Sequence, residues 1–271
     1  MFKDVIIGQY IDGNSFIHRI DPKMKIIISF MYMILLFCIN SVVSYGIVSI
    51  FTFAILLSCG VRMRLIFKGI KPMVFILVFT ALMNLLMTPG DKLFSLDVFG
   101  LFELSVSKQG VRTGLLMVIR LLYLLLATSV LTLTTTPLKL TDGIERLLRP
   151  FSVIKVPAHE IAMMMTIALR FIPTLADETD KIIKAQKARG ADFESGGIIK
   201  RAKALIPILV PLFVSAFRRA DELATAMEAR CYRGGKGRTK MTECHMGKRD
   251  IVALGLFFVL VILVLLAEFY L

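Results

Sequence analysis

Apolar residues in this chain gather into long blocks separated by short polar breaks. The first block, Ile26–Val61, is 36 residues long. As one helix it would reach roughly 54 Å, against a hydrocarbon thickness of about 30 Å. Asn40, Ser41, Ser44 and Gly46 punctuate its middle. The block therefore reads as a helical hairpin, with short spans over 26–43 and 45–61. A third span is predicted over Pro72–Met87, ended by Thr88-Pro89-Gly90, and a fourth over Gly114–Thr135. The last is Ile251–Leu271, preceded by Lys248 and Arg249. Leu93–Val106 alternates loosely, as a short hairpin or an interfacial helix would. The fold class is an all-α polytopic membrane protein with about five transmembrane helices plus cytoplasmic helices.

The polar stretch 136–250 carries 21 Lys/Arg and 13 Asp/Glu. Two apolar segments lie inside it. Ala158–Ile172 is bounded by Pro157 and Pro173, and Leu205–Phe217 contains Pro207 and Pro211. Both are short for a span. Were both to cross, residues 177–203, with seven Lys/Arg, would face outside, against the positive-inside rule. The expected organisation is a cytoplasmic segment 1–25, a four-span membrane domain 26–135, a cytoplasmic region 136–250 and a final span 251–271. The N-terminus lies inside and the C-terminus outside a cell membrane.

Composition agrees. Of 271 residues, 56% are hydrophobic, and the mean hydropathy is +0.76, too apolar for one soluble core. The net charge of +13 lies beside the apolar blocks, which fits membrane topology better than a nucleic-acid groove. Lys3 and Asp4 precede any apolar run, so the start reads as a retained segment rather than a cleavable signal. No Walker A spacing is present, and Gly234-Gly235-Lys236-Gly237 follows no strand. No bound cofactor is expected. Cys231, Cys244 and His245 fit no standard zinc spacing and read as a chance cluster, not a metal site.

Within 136–250, Ala158–Leu175 reads as one helix and Thr174–Arg189 as an amphipathic one, with Asp177–Lys181 and Asp180–Lys184 pairs. Gly190 suits the residue just past a helix end. A further helix runs from about Ile198 to Tyr232, kinked near Pro207 and stopped by Gly234-Gly235. The two helices share a repeat. Ala185–Gly190 (Ala-Gln-Lys-Ala-Arg-Gly) matches Ala226–Cys231 (Ala-Met-Glu-Ala-Arg-Cys) at an offset of 41 residues. One basic residue in a last turn would only complement the helix dipole. Two, in matching settings, indicate two equivalent docking points.

These residues give the chain a resemblance to the transmembrane (T) components of energy-coupling factor transporters, the CbiQ-like proteins. Those proteins carry two cytoplasmic coupling helices, each ending in Ala-Arg-Gly. The matching positions are Ala188-Arg189-Gly190 and Ala229-Arg230-Cys231, with Cys in place of the second Gly. Gly8-Gln9-Tyr10, Ser15, His18-Arg19, Asp21-Pro22, Lys25, Arg120, Thr134-Thr135-Thr136-Pro137 and Ala168–Pro173 extend the likeness along the chain. The resemblance implies that each Arg docks on one of two ATP-binding cassette ATPases, which bind the ATP. It also implies a small membrane capture (S) component for a vitamin or metal ion, to which this chain transmits movement without being an enzyme itself. Substrate choice would then reside in the capture component.

Leu205–Phe217 is the expected platform for that component, with Leu205, Ile206, Pro207, Leu209, Pro211, Leu212 and Phe213 as contacts. The bland alternative is an interfacial or buried helix. Met163-Met164-Met165 reads as adaptable packing. Arg120 lies inside the fourth span, and two readings stand for it: it faces a partner or water, or it snorkels to the outer interface. The rivals to the whole scheme are an unrelated polytopic membrane enzyme, which needs clustered acids, His or Cys, and a channel, which needs polar residues through several spans. Both features are sparse here.

Overall fold

The structure is a computed structural model, and it describes residues 10–60, 69–88, 92–98, 102–191, 193, 197–235 and 246–270. The chain divides into two compact units. The first takes in Gln9–Gly143 and Cys244–Leu271. In it, α1 (Pro22–Cys38) and α2 (Val42–Cys59) form a hairpin. α3 (Val74–Met87) follows a 3-10 turn at Lys71–Met73. The strands β1 (Lys92–Val98) and β2 (Phe102–Ser107) pair antiparallel. Then come α4 (Lys108–Thr134), α5 (Pro137–Leu148), within which the unit boundary falls, and the final α8 (Lys248–Tyr270). Within the loosely alternating 93–106 segment, 93–98 and 102–106 are thus antiparallel strands in an otherwise helical unit.

Three helices, Val42–Cys59, Lys108–Thr134 and Lys248–Tyr270, are long and apolar enough to cross a membrane, and Lys71–Leu86 is a shorter apolar helix. With α1, they account for the five predicted apolar elements. The first break falls earlier than predicted. α1 stops at Cys38, and Ile39 is extended (φ −92°, ψ 131°).

α3 packs along α4, and α8 packs against α2 and α1. Leu36, Ile39, Tyr45, Val48, Phe257, Leu260 and Val264 form one core cluster. Leu56, Cys59, Ile70, Leu77, Leu126 and Leu133 form a second. Gly110 and Gly114, four residues apart, let α3 approach α4. A Cβ at Gly110 would sit 3.1 Å from the Asn84 carbonyl oxygen, and one at Gly114 3.4 Å from that of Ala81. The opposite helix faces are apolar and exposed, with Phe30, Ile34, Ile50, Phe53, Phe75, Phe79, Leu256 and Leu265 on the surface. Such a surface is stable where its solvent is hydrocarbon.

The second unit includes Ile144–Glu243. Its main elements are α6 (Ala158–Ala188) and α7 (Ile198–Ala229). α6 is one continuous helix, not the two predicted, with Pro173 inside it. α7 ends at Ala229, three residues before the predicted Tyr232, so the 234–235 glycines lie beyond its end. The two helices run antiparallel: Glu178 meets Ser215 and Arg219, whereas the later Gln186 meets Pro207.

Candidate functional site: two matched helix ends

Both α6 and α7 finish in the same hydrogen-bonded motif. At the end of α6, Gly190 N–H donates to Lys187 O (3.0 Å) and Ala191 N–H to Gln186 O (3.0 Å). At the end of α7, Cys231 N–H donates to Glu228 O (2.8 Å) and Tyr232 N–H to Met227 O (3.0 Å). This is the Schellman closure, which needs a left-handed residue just past the helix. Gly190 has φ 85° and Cys231 has φ 56°. Cys231 therefore reproduces the geometry of the glycine it replaces, in a region that costs an L-residue about 1 kcal/mol or more.

Arg189 and Arg230 are the cap residues, with almost identical backbones (φ −86°, ψ 8° and φ −92°, ψ 12°). Both are exposed, as are Ala188, Gly190, Ala229 and Cys231. Each guanidinium stands at a helix end next to carbonyls directed outward, a surface a carboxylate- and donor-bearing partner can read in two dimensions.

Between these ends, an ion pair joins the two helices. Glu178 accepts from Ser215 Oγ (2.5 Å) and from Arg219 Nη2 (2.9 Å). The Ser215 hydrogen bond, and then the Arg219 charge, hold the Glu178 carboxyl below its ordinary range. Glu178 lies 11 residues before Arg189, and Arg219 lies 11 before Arg230. The ion pair thus connects equivalent positions of the repeat, and about 16 Å of helix separates each from its Arg. Motif reading missed these residues because the repeat was followed only over its last six positions. The same offset carried back along both helices puts Glu178 in register with Arg219.

The apolar stretch of α7 is mostly uncovered. Leu205 is 48% exposed, Ile206 54%, Leu209 47% and Phe213 60%. Pro207 and Pro211 are exposed and Leu212 is half-buried. Ile208 is the buried member of the stretch. Phe213 stacks on Phe217 one turn later.

Arg120 faces neither water nor the interface alone. Its Nη2 donates to Ile39 O (2.7 Å), its Nε donates to Tyr45 Oη (2.9 Å), and the guanidinium stands over the Phe37 ring. Glu268 serves the other side of the same turn, accepting from Asn40 N–H, Ser41 N–H and Ser44 Oγ. Arg120 and Glu268 thus supply a donor and an acceptor to backbone groups that the turn leaves outside both helices.

At the opposite end of the bundle, the resemblance residues of the opening segment meet. Ser15 donates to His18 Nδ1, and His18 Nε2 donates to Ile11 O. Asp21 caps α1 by accepting from Lys23 N–H. Lys25, buried, donates to Thr134 O (2.9 Å) and Thr135 Oγ1 (3.2 Å). It thus fastens the start of α1 to the C-terminus of α4. Among the described residues no cluster of three or more His, Cys, Asp or Glu could hold a metal ion. Cys244 and His245 lie outside the described residues, as does Gly8-Gln9.

A largely helical bundle with three helices long and apolar enough to cross a membrane defines a polytopic membrane protein. The model of the cobalt transport protein family CbiQ matches residues 13–241. The chain is 55% identical over 253 residues to the energy-coupling factor transporter transmembrane protein EcfT of Clostridium kluyveri, covering 93% of both. It is 52% identical over 269 residues to EcfT of Ruminiclostridium cellulolyticum, covering 99% of both. EcfT of Bacillus subtilis is 47% identical over 251 residues, covering 92% of this chain and 93% of that one. The chain belongs to the CbiQ family, as a transmembrane component of an energy-coupling factor transporter. The enzyme and channel readings are set aside.

Proposed function

We propose that this chain couples ATP hydrolysis by two ATP-binding cassette subunits to a small membrane capture component. The observation that carries the proposal is the pair of superimposable helix ends presenting Arg189 and Arg230. Two equivalent docking points suit two similar ATPases, and an antiparallel helix pair tied at Glu178–Arg219 can pass a displacement from one end to the other as a rigid lever. The exposed face from Leu205 to Phe213 supports a platform for the apolar capture component. ATP belongs to the ATPases, and the cargo, a vitamin or a metal ion, to the capture protein. The N-terminus is cytoplasmic and the C-terminus external. The test is co-purification from detergent with each partner class. Arg189→Glu combined with Arg230→Glu should release the ATPases and abolish ATP-driven uptake, while the capture component stays bound. ATPase recovery equal to wild type would overturn the assignment.

A further inference from the structure

We propose that the cleft where α1 and α8 begin holds the phosphodiester headgroup of an anionic membrane lipid. The cleft has a volume of about 690 Å³ and belongs wholly to the first unit. Its lining brings Arg19, Lys139, Lys248 and Arg249 together from three separate parts of the chain. All four are exposed and form no ion pair among the described residues.

The acids beside them are engaged by backbone amides. Asp250 accepts from Asp21 N–H (2.8 Å) through one oxygen and from Gly247 N–H (2.7 Å) through the other. Asp21 accepts from Lys23 N–H. Asp12 lies beside the Tyr10 hydroxyl. The buried Lys25 is spent on carbonyls and Thr135. The carboxylates keep their charge while accepting these amides, and the lining still holds five basic side chains, Lys25 among them, against three acidic ones, so the concave surface is net positive.

Positive charge beside a span is common and by itself indicates only orientation. Here the charges converge on a cavity, and the surface continuing from it is apolar. Ile251, Val252 and Leu256 follow directly on α8, at 64%, 51% and 54% exposure. A molecule lying across that boundary is charged at one end and hydrocarbon at the other, which describes a phospholipid better than a free anion.

The experiment uses the full-length chain in dodecyl maltoside, with native mass spectrometry to count retained lipid. Dioleoyl-phosphatidylglycerol should be retained about tenfold more than dioleoyl-phosphatidylcholine. Lys139→Gln, Lys248→Gln and Arg249→Gln together should remove the preference while leaving phosphatidylcholine retention unchanged, which also reports an intact bundle. Lys139→Gln alone should weaken the preference in part. An equal loss of charge elsewhere, with Lys181→Gln, Lys184→Gln and Lys203→Gln, should preserve it. Equal retention of the two lipids by wild type would overturn the proposal, as would equal effects of the two triple variants. Displacement of phosphatidylglycerol by millimolar inorganic phosphate would make the cleft a free-anion site and overturn the lipid assignment. The readout involves neither ATPase nor capture component, so it fails or succeeds independently of the coupling role.

Discussion

Cys231 occupies a left-handed position that glycine adopts freely, and the hydrogen bonds around it match those around Gly190. Its thiol is free and exposed. Cys231→Gly is therefore expected to retain uptake and docking and to stabilise the end of α7 by up to about 1 kcal/mol, since relief of strain outweighs the added freedom of the unfolded chain. Thermal unfolding in detergent, read beside an uptake assay, checks both. Lost uptake in the glycine variant would assign the thiol a role of its own. Arg120 sets a different residue-scale expectation. Arg120→Leu leaves the Ile39 carbonyl and the Tyr45 hydroxyl without their donor in a bundle that excludes water. A buried polar group abandoned this way costs about 1–3 kcal/mol, so thermal stability should fall and the α1–α2 turn should open. Arg120→Lys should recover part of the stability, because an ammonium supplies charge but not the two-pronged geometry.

At the scale of elements, α6 and α7 form one antiparallel pair, joined where Glu178 meets Ser215 and Arg219 and where Gln186 donates to the Pro207 carbonyl. Glu178 titrates below its ordinary range in the folded pair, chiefly through the Ser215 hydrogen bond. A carboxyl depressed by folding contributes stability above its unfolded pKa, and that contribution is lost as pH falls through the folded value. The pairing of α6 with α7 should thus hold near neutrality and loosen in acid, below about pH 4. Spin labels on the two helices, measured by pulsed electron resonance across that range, would show it. Glu178→Gln should loosen the pair at neutral pH and abolish the acid-dependent step. An unchanged step in that variant would mean that another group carries it. The twin helix ends lie beyond this crossing, and reversing the charge of either Arg is expected to weaken ATPase docking about 100-fold.

For the whole molecule, the expected orientation follows from charge. The loop region 90–113 is neutral, whereas 136–250 is rich in Lys and Arg. In a variant lacking native cysteines, Asp97→Cys should react with an impermeant thiol reagent in intact cells. A cysteine at Ser195 should react only after lysis. Labelling at 195 in intact cells would overturn the five-span arrangement and move α6 or α7 into the membrane.

Local signals in the sequence determined a large part of this protein. The apolar blocks, the polar region between them and the two Ala-Arg helix ends were legible because each depends on residues within a few turns of one another. Gly190 predicts its own helix end, and Lys and Arg beside apolar runs predict orientation. The change from an apolar to an amphipathic pattern near Thr174 misled, because one continuous helix can carry both patterns in turn. Tertiary structure decided what depends on distant partners. The first hairpin turns at Ile39–Ser41 because Glu268, some 228 residues away, receives its amides and Arg120 its carbonyl. Arg120 could face a partner, water or the interface until that turn was placed beside it. Glu178 and Arg219 were two surface charges until the antiparallel packing joined them. Lys25, Asp21 and Asp250 meet at one junction only when α1, α4 and α8 are assembled. The physical reason is the same throughout. A turn or a cap is closed by hydrogen bonds between near neighbours, whereas a buried charge is defined by whatever the folded chain brings to it.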